Sequence, residues 1–115
     1  MSVEIYHNPR CSKSRETLAL LESKGVNPTV IEYLKTPIYS DTLANLLPKL
    51  GFSSAHQLVR SKETLYKELG LSIDTDEATL RTAMLENPKL IERPIVVKGD
   101  KAAIGRPPES VLDIL

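Results

Sequence analysis

The 115-residue sequence predicts one α/β domain in which a β-α-β half and a β-β-α half are separated by a helical insertion. Three observations predict it. Val3-Glu4-Ile5-Tyr6 and Thr29-Val30-Ile31-Glu32-Tyr33 are β-prone runs that bracket a helical period. Strand signals return at Ile95-Val96-Val97 and Lys101-Ala102-Ala103-Ile104, around a Lys98-Gly99-Asp100 turn. Between them, over about residues 35–90, apolar spacing is helical and strand signals are absent.

In chain order, Ser14, Leu18, Leu21 and Gly25 fall at helical spacing and predict a first helix from about Ser12 to Lys24, stopped by Gly25 with Pro28 beyond. Strand, helix and strand in so few residues imply parallel strands joined by a right-handed crossover. In the insertion, Ser40-Asp41 is an N-cap candidate, and Leu43, Leu46, Leu47 and Leu50 line one helical face. Pro48 should kink or shorten that helix, because it has no N–H to donate. Short helical pieces are expected at Ser54–Val59 and Lys62–Leu69, and a better helix at Asp76–Leu85, where Asp74 and Glu77 are spaced like a capping box and Asn87-Pro88 makes the end. After the hairpin, Pro107 and Pro108 suit a helix start, and Val111, Leu112, Ile114 and Leu115 give that helix an apolar face.

Fifteen basic and fifteen acidic side chains balance, so no global field points to nucleic acid or an acidic membrane surface. Cys11 is the single cysteine, which rules out an internal disulfide and leaves too few thiols for structural zinc. His7 and His56 add no usual zinc spacing, so no metal is expected. The first residues lack a basic stretch followed by an apolar run, and no segment is long enough to span a bilayer. The expectation is a soluble, cytoplasmic monomer with no bound cofactor.

Cys11 falls at the carboxyl end of the first strand and at the start of the first helix, where open α/β sheets bind ligands. Unpartnered N–H groups and the helix macrodipole favour an anion there, so a thiol of reference pKa about 8.5 is drawn toward neutrality. Arg10, Lys13 and Arg15 add to that pull, and the polar, cationic flanks argue against a small buried apolar cysteine. The position six after Cys11 is Thr17, which excludes the Cys-x5-Arg loop of thiolate phosphatases.

Five separated blocks carry a family likeness: Tyr6-His7-Asn8-Pro9-x-Cys11-x-x-Ser14-Arg15, Tyr33-Leu34-x-Thr36-Pro37, Leu58-Val59-Arg60, Arg93-Pro94-Ile95-Val96-Val97 and Gly105-Arg106-Pro107. In that order the chain resembles the glutaredoxin-coupled arsenate reductases, a family with a thioredoxin-like fold and a helical insertion. The run Pro9-Arg10-Cys11-Ser12-Lys13-Ser14-Arg15 departs from the better-characterised members and resembles a housekeeping branch. The resemblance implies that Cys11 is the nucleophile and that Arg60, Arg93 and Arg106 hold the oxyanion. It implies supporting roles for His7, Ser14 and Arg15, and a cis-proline at Pro94 facing the cysteine. Read alone, Arg60 is an ordinary solvated arginine and His7 an orienting or capping residue.

The activity implied is arsenate reduction, with glutathione as co-substrate and glutaredoxin as partner. One cysteine fits, since an enzyme with no second thiol must borrow its reductant. Two other readings stand beside it. One is a glutathione-dependent thiol oxidoreductase acting on another substrate. The other is a non-enzymatic regulator of the same fold, whose members sense redox state through Cys-x-x-Cys; here Ser14 takes the second position.

Overall fold

A four-stranded mixed sheet in the order β2-β1-β3-β4 underlies the fold in the computed structural model, which describes residues 2–115. The strands are β1 (Val3–Tyr6), β2 (Thr29–Ile31), β3 (Ile95–Lys98) and β4 (Lys101–Ile104). β1 pairs in parallel with β2, Ile5 opposite Val30, and antiparallel with β3, Ile5 opposite Val96. β3 and β4 form the expected hairpin, with Lys98 opposite Lys101 and Gly99 at φ +63° in the turn. That left-handed conformation suits glycine, which has no Cβ to clash.

The chain forms two compact units, Met1–Thr36 with Arg93–Leu115, and Pro37–Glu92. In the first, α1 (Ser12–Ser23) connects the parallel strands, and Gly25 ends it at φ +77°. Val3, Ile5, Leu21, Val96 and Val111 form its core, with Leu18, Leu20, Val26, Ala103 and Ile114 packed around them. Alternation on β1 and β3 and the helical period of α1 turn these residues to one side. The arrangement is thioredoxin-like, as the sequence predicts. The final helix differs from expectation: Pro108–Ile114 is a 3₁₀ helix packed on β4 and α1.

The second unit holds α2 (Ser40–Lys49), α3 (Thr64–Glu68) and α4 (Glu77–Glu86), with 3₁₀ turns at Ala55–Gln57 and Pro88–Leu90. Leu43, Leu46 and Leu47 of α2 and Leu80 and Met84 of α4 are buried, and these helices pack together. Pro48 sits in the last turn of α2, which it does not prevent. Two caps differ from the sequence reading. Tyr39, not Ser40, precedes α2, and Asp76, not Asp74, caps α4 by accepting from the Thr79 N–H. Glu77 instead crosses to the Ala55–Gln57 turn, where its carboxylate accepts from Ser54 Oγ at 2.6 Å and from the Ala55 N–H at 2.9 Å. The capping box belongs to Ser54 and Gln57. No helix among the described residues is long and apolar enough to cross a membrane.

Candidate active site

The loop from His7 to Cys11 is shaped by its own side chains. The Cys11 N–H donates to Asn8 O at 3.0 Å, closing a turn with Pro9 and Arg10 at its centre, and the Arg10 N–H donates to Asn8 Oδ1 at 3.0 Å. Asparagine at the first position and proline at the second suit such a turn, since Asn accepts from its own backbone two residues on and Pro presets φ. Arg15 reaches back from α1 and its Nη1 donates to Pro9 O at 3.0 Å. Its guanidinium braces the loop at the surface.

Ser14 is fully buried in the first turn of α1. Its Oγ accepts the Asn8 N–H at 3.0 Å and shares a 2.6 Å hydrogen bond with His7 Nδ1. The hydroxyl therefore ties the loop to the helix, and no Ser14 bond to Cys11 occurs among the described residues. Burial lowers the pKa of His7, the Glu32 carboxylate opposes that shift and the Arg15 guanidinium adds to it. The ring is held neutral at physiological pH.

Cys11 is the N-cap residue of α1, at φ −92° and ψ 125°, and no side chain caps that helix. The N–H groups of Ser12, Lys13 and Ser14 find no acceptor among the described residues, and no acidic residue lies in the first turn. The cysteine is only 9% exposed, so its polar flanks do not keep it at the surface as the sequence suggests. The flanks turn outward while the thiol turns toward Arg106, whose Nη2 donates to Sγ at 3.6 Å. Arg106 Nε donates to Arg93 O at 2.8 Å, so one guanidinium bridges the thiol and the backbone of the residue before Pro94.

The Arg93–Pro94 peptide is cis, and so is Arg106–Pro107, which nothing in the sequence signals. Arg93 Nε and Nη1 are buried and have no hydrogen-bond partner among the described residues. Leaving such donors unmade is costly, so they mark a place where an acceptor is wanted. Gly105 lies between these pieces. Its N–H donates to Pro94 O at 2.9 Å, and its carbonyl is 3.4 Å from Thr17 Oγ1 of α1.

Arg60 belongs to the second unit. Its backbone N–H donates to Leu90 O at 2.7 Å, beside a bridge between Val59 and Ile91, and the Glu92 N–H donates to Leu58 O on the other side of that bridge. Arg60 Nη1 is 3.1 Å from Glu63 Oε2 and its Nε is 3.4 Å from Glu92 Oε1. It is thus an ion-paired, part-buried arginine, not the freely solvated one that its residue type suggests. His56 is also occupied, its Nε2 lying 2.7 Å from Thr75 O. No group of three metal-binding side chains occurs among the described residues.

Taken together, the first unit sets a thiol, a guanidinium bound to it and a helix start with open amides at one sheet end. The combination favours an oxyanion beside the sulfur. Comparison with known proteins agrees in family. The chain is 54% identical over 116 residues to an arsenate reductase of Haemophilus influenzae, covering all of both chains. It is 60% identical over 114 residues to the uncharacterized Escherichia coli K12 protein YfgD, covering 98% and 96% of the two chains. Among solved structures, an arsenate reductase from Vibrio cholerae superposes with a TM-score of 0.96 at 55% identity, covering 100% of this chain and 98% of the other. The ArsC family pattern matches residues 6–114, and the chain belongs to the ArsC family.

Proposed function

We propose that this protein reduces arsenate to arsenite, with Cys11 as nucleophile. The observation that carries the reading is the Arg106 guanidinium held between Cys11 Sγ and Arg93 O. It sets positive charge where a tetrahedral oxyanion meets the sulfur. The unpartnered donors of Arg93 and the open amides of α1 supply further hydrogen bonds to such an anion. Full-length relatives named arsenate reductase support the substrate.

In this scheme the Cys11 thiolate attacks arsenic(V) and an arsenate oxygen leaves as water. Glutathione thiolate then supplies the second sulfur. As the Cys11–glutathione disulfide forms, the two thiolates give up an electron pair and arsenic leaves as arsenic(III). Glutaredoxin reduces that mixed disulfide by exchange, since the chain has no second cysteine to do so. Arg93 and Arg106 bind the oxyanion, and the family resemblance implies the same role for Arg60. His7 and Ser14 hold the loop.

The test is arsenate-dependent NADPH oxidation with glutathione, glutaredoxin and glutathione reductase present. Turnover that vanishes in Cys11→Ser is expected, and arsenate should protect Cys11 from alkylation in the parent protein and far less in Arg106→Ala. Folded protein without arsenate turnover would defeat the assignment. Turnover of another glutathione-linked substrate by Cys11 would then favour the broader thiol oxidoreductase.

A further inference from the structure

Three cations flank Cys11, and two of them are engaged. Lys13 Nζ is 3.4 Å from Glu16 Oε2, and Arg15 donates to Pro9 O. The Arg10 side chain is exposed and makes no hydrogen bond or ion pair among the described residues. Its backbone, by contrast, is fixed by its own N–H on Asn8 Oδ1 and by the Cys11 N–H on Asn8 O. A long, unspent guanidinium thus stands on a rigid turn, one residue from the reactive sulfur. Consecutive Cα atoms are only about 3.8 Å apart, so the side chain can reach groups on a molecule joined to that sulfur. No acidic residue in the first turn of α1 competes for it.

A guanidinium so placed recognises carboxylate. We propose that Arg10 is the contact by which Cys11 selects a carboxylate-bearing thiol, in its free or disulfide form, over a neutral thiol of similar reactivity. The inference rests on the reading that Cys11 exchanges with glutathione, a tripeptide with carboxylates at both ends and a net negative charge. Arg10 is thereby a specificity residue for the reductant and takes no part in holding arsenate.

The experiment omits arsenate, so its outcome is separate from that of the turnover assay. Oxidised glutathione or the neutral 2-hydroxyethyl disulfide is mixed with the reduced protein, and formation of the Cys11 mixed disulfide is followed by mass. In each case the Cys11 thiolate attacks one sulfur, the original S–S bond breaks, and the other sulfur leaves as a thiolate with the electron pair. The readout is the ratio of the two rates.

Arg10→Ala should lower that ratio roughly two- to five-fold, the size of an exposed ion pair. Arg10→Lys should restore part of it, and added salt should lower the ratio in the parent but little in Arg10→Ala. Lys24→Ala, at the far end of α1 about 18 Å away, should leave the ratio alone, being beyond a screening length of about 8 Å. An unchanged ratio in Arg10→Ala, an equal drop in Lys24→Ala, or no reaction of Cys11 with oxidised glutathione would each overturn the proposal.

Discussion

Substituting Gly105 by alanine places a methyl group at the junction of the candidate site. A Cβ there meets Thr17 Oγ1, with Pro94 Cγ at 2.8 Å and Thr17 Cγ2 at 3.0 Å. Neither neighbour can swing aside. Thr17 is fully buried with its hydroxyl bonded to Lys13 O at 2.7 Å, and a proline ring has little freedom. Overpacking costs about 1–3 kcal/mol, and obstruction from two rigid sides puts this case near 3 kcal/mol. At about 4 °C per kcal/mol for a chain this size, the melting temperature falls by roughly 12 °C. Urea titration followed by circular dichroism gives the free energy and calorimetry the midpoint. Thr17→Ala removes both obstructing Thr17 atoms, so Thr17→Ala/Gly105→Ala should cost at least about 1 kcal/mol less than the sum of the single changes. A Gly105→Ala protein within about 0.5 kcal/mol of the parent, or strict additivity of the pair, would refute the close approach.

Three further outcomes are expected. Because burial lowers the pKa of His7 below its ordinary 6.5, the unfolded chain binds the proton more readily; stability is held above pH 6.5 and lost as pH falls below it. His7→Gln should flatten that slope in denaturation measured from pH 5 to 8. Burial alone would raise the Glu77 carboxyl, but hydrogen bonds from Ser54, Ala55 and Arg81, with the charge of Arg81, hold it at about 2. Its contribution is therefore present above pH 4.5 and fades as pH falls toward 2, and Glu77→Gln should remove that acid-side loss while costing about 1 kcal/mol at neutral pH. Arg60→Ala and Glu92→Ala should couple by about 0.5–1 kcal/mol in a double-mutant cycle, and a coupling near zero would show the pair to be screened.

The elements legible in the sequence are those whose signal is local. The period of Leu18 and Leu21 with Gly25 beyond marks α1, and the Gly99 turn between alternating runs marks the hairpin. The cap of α4 falls two residues beyond the expected Asp74: Asp74 and Asp76 are chemically alike, and only the path of the chain chooses the one whose carboxylate meets the Thr79 N–H. The capping box at Ser54 and Gln57 is silent in the sequence because it opens a three-residue 3₁₀ turn with no apolar period to announce it. Pro107 and Pro108 announce a helix start but do not distinguish 3₁₀ from α.

At the site, Cys11 could be placed at the helix start from spacing alone, but its partners could not. The Arg106 contact with sulfur and the Arg60 pair with Glu92 join residues far apart in the chain, and no periodicity encodes them. The occupation of Ser14 Oγ by His7 and Asn8 likewise depends on the loop doubling back, although all three residues stand within one short motif.

The pairing of β1 with β3 sets an order of events during synthesis. Cys11 and Arg106 are 95 residues apart, an interval of roughly 5 to 20 s at ordinary rates of chain elongation. Pro37–Glu92, a compact unit in its own right, is made in that interval, while β1 waits for the antiparallel neighbour that completes its sheet. The thiol therefore leaves the ribosome before the guanidinium that holds it exists. Its chemistry is assembled last, by strands drawn from opposite ends of the sequence.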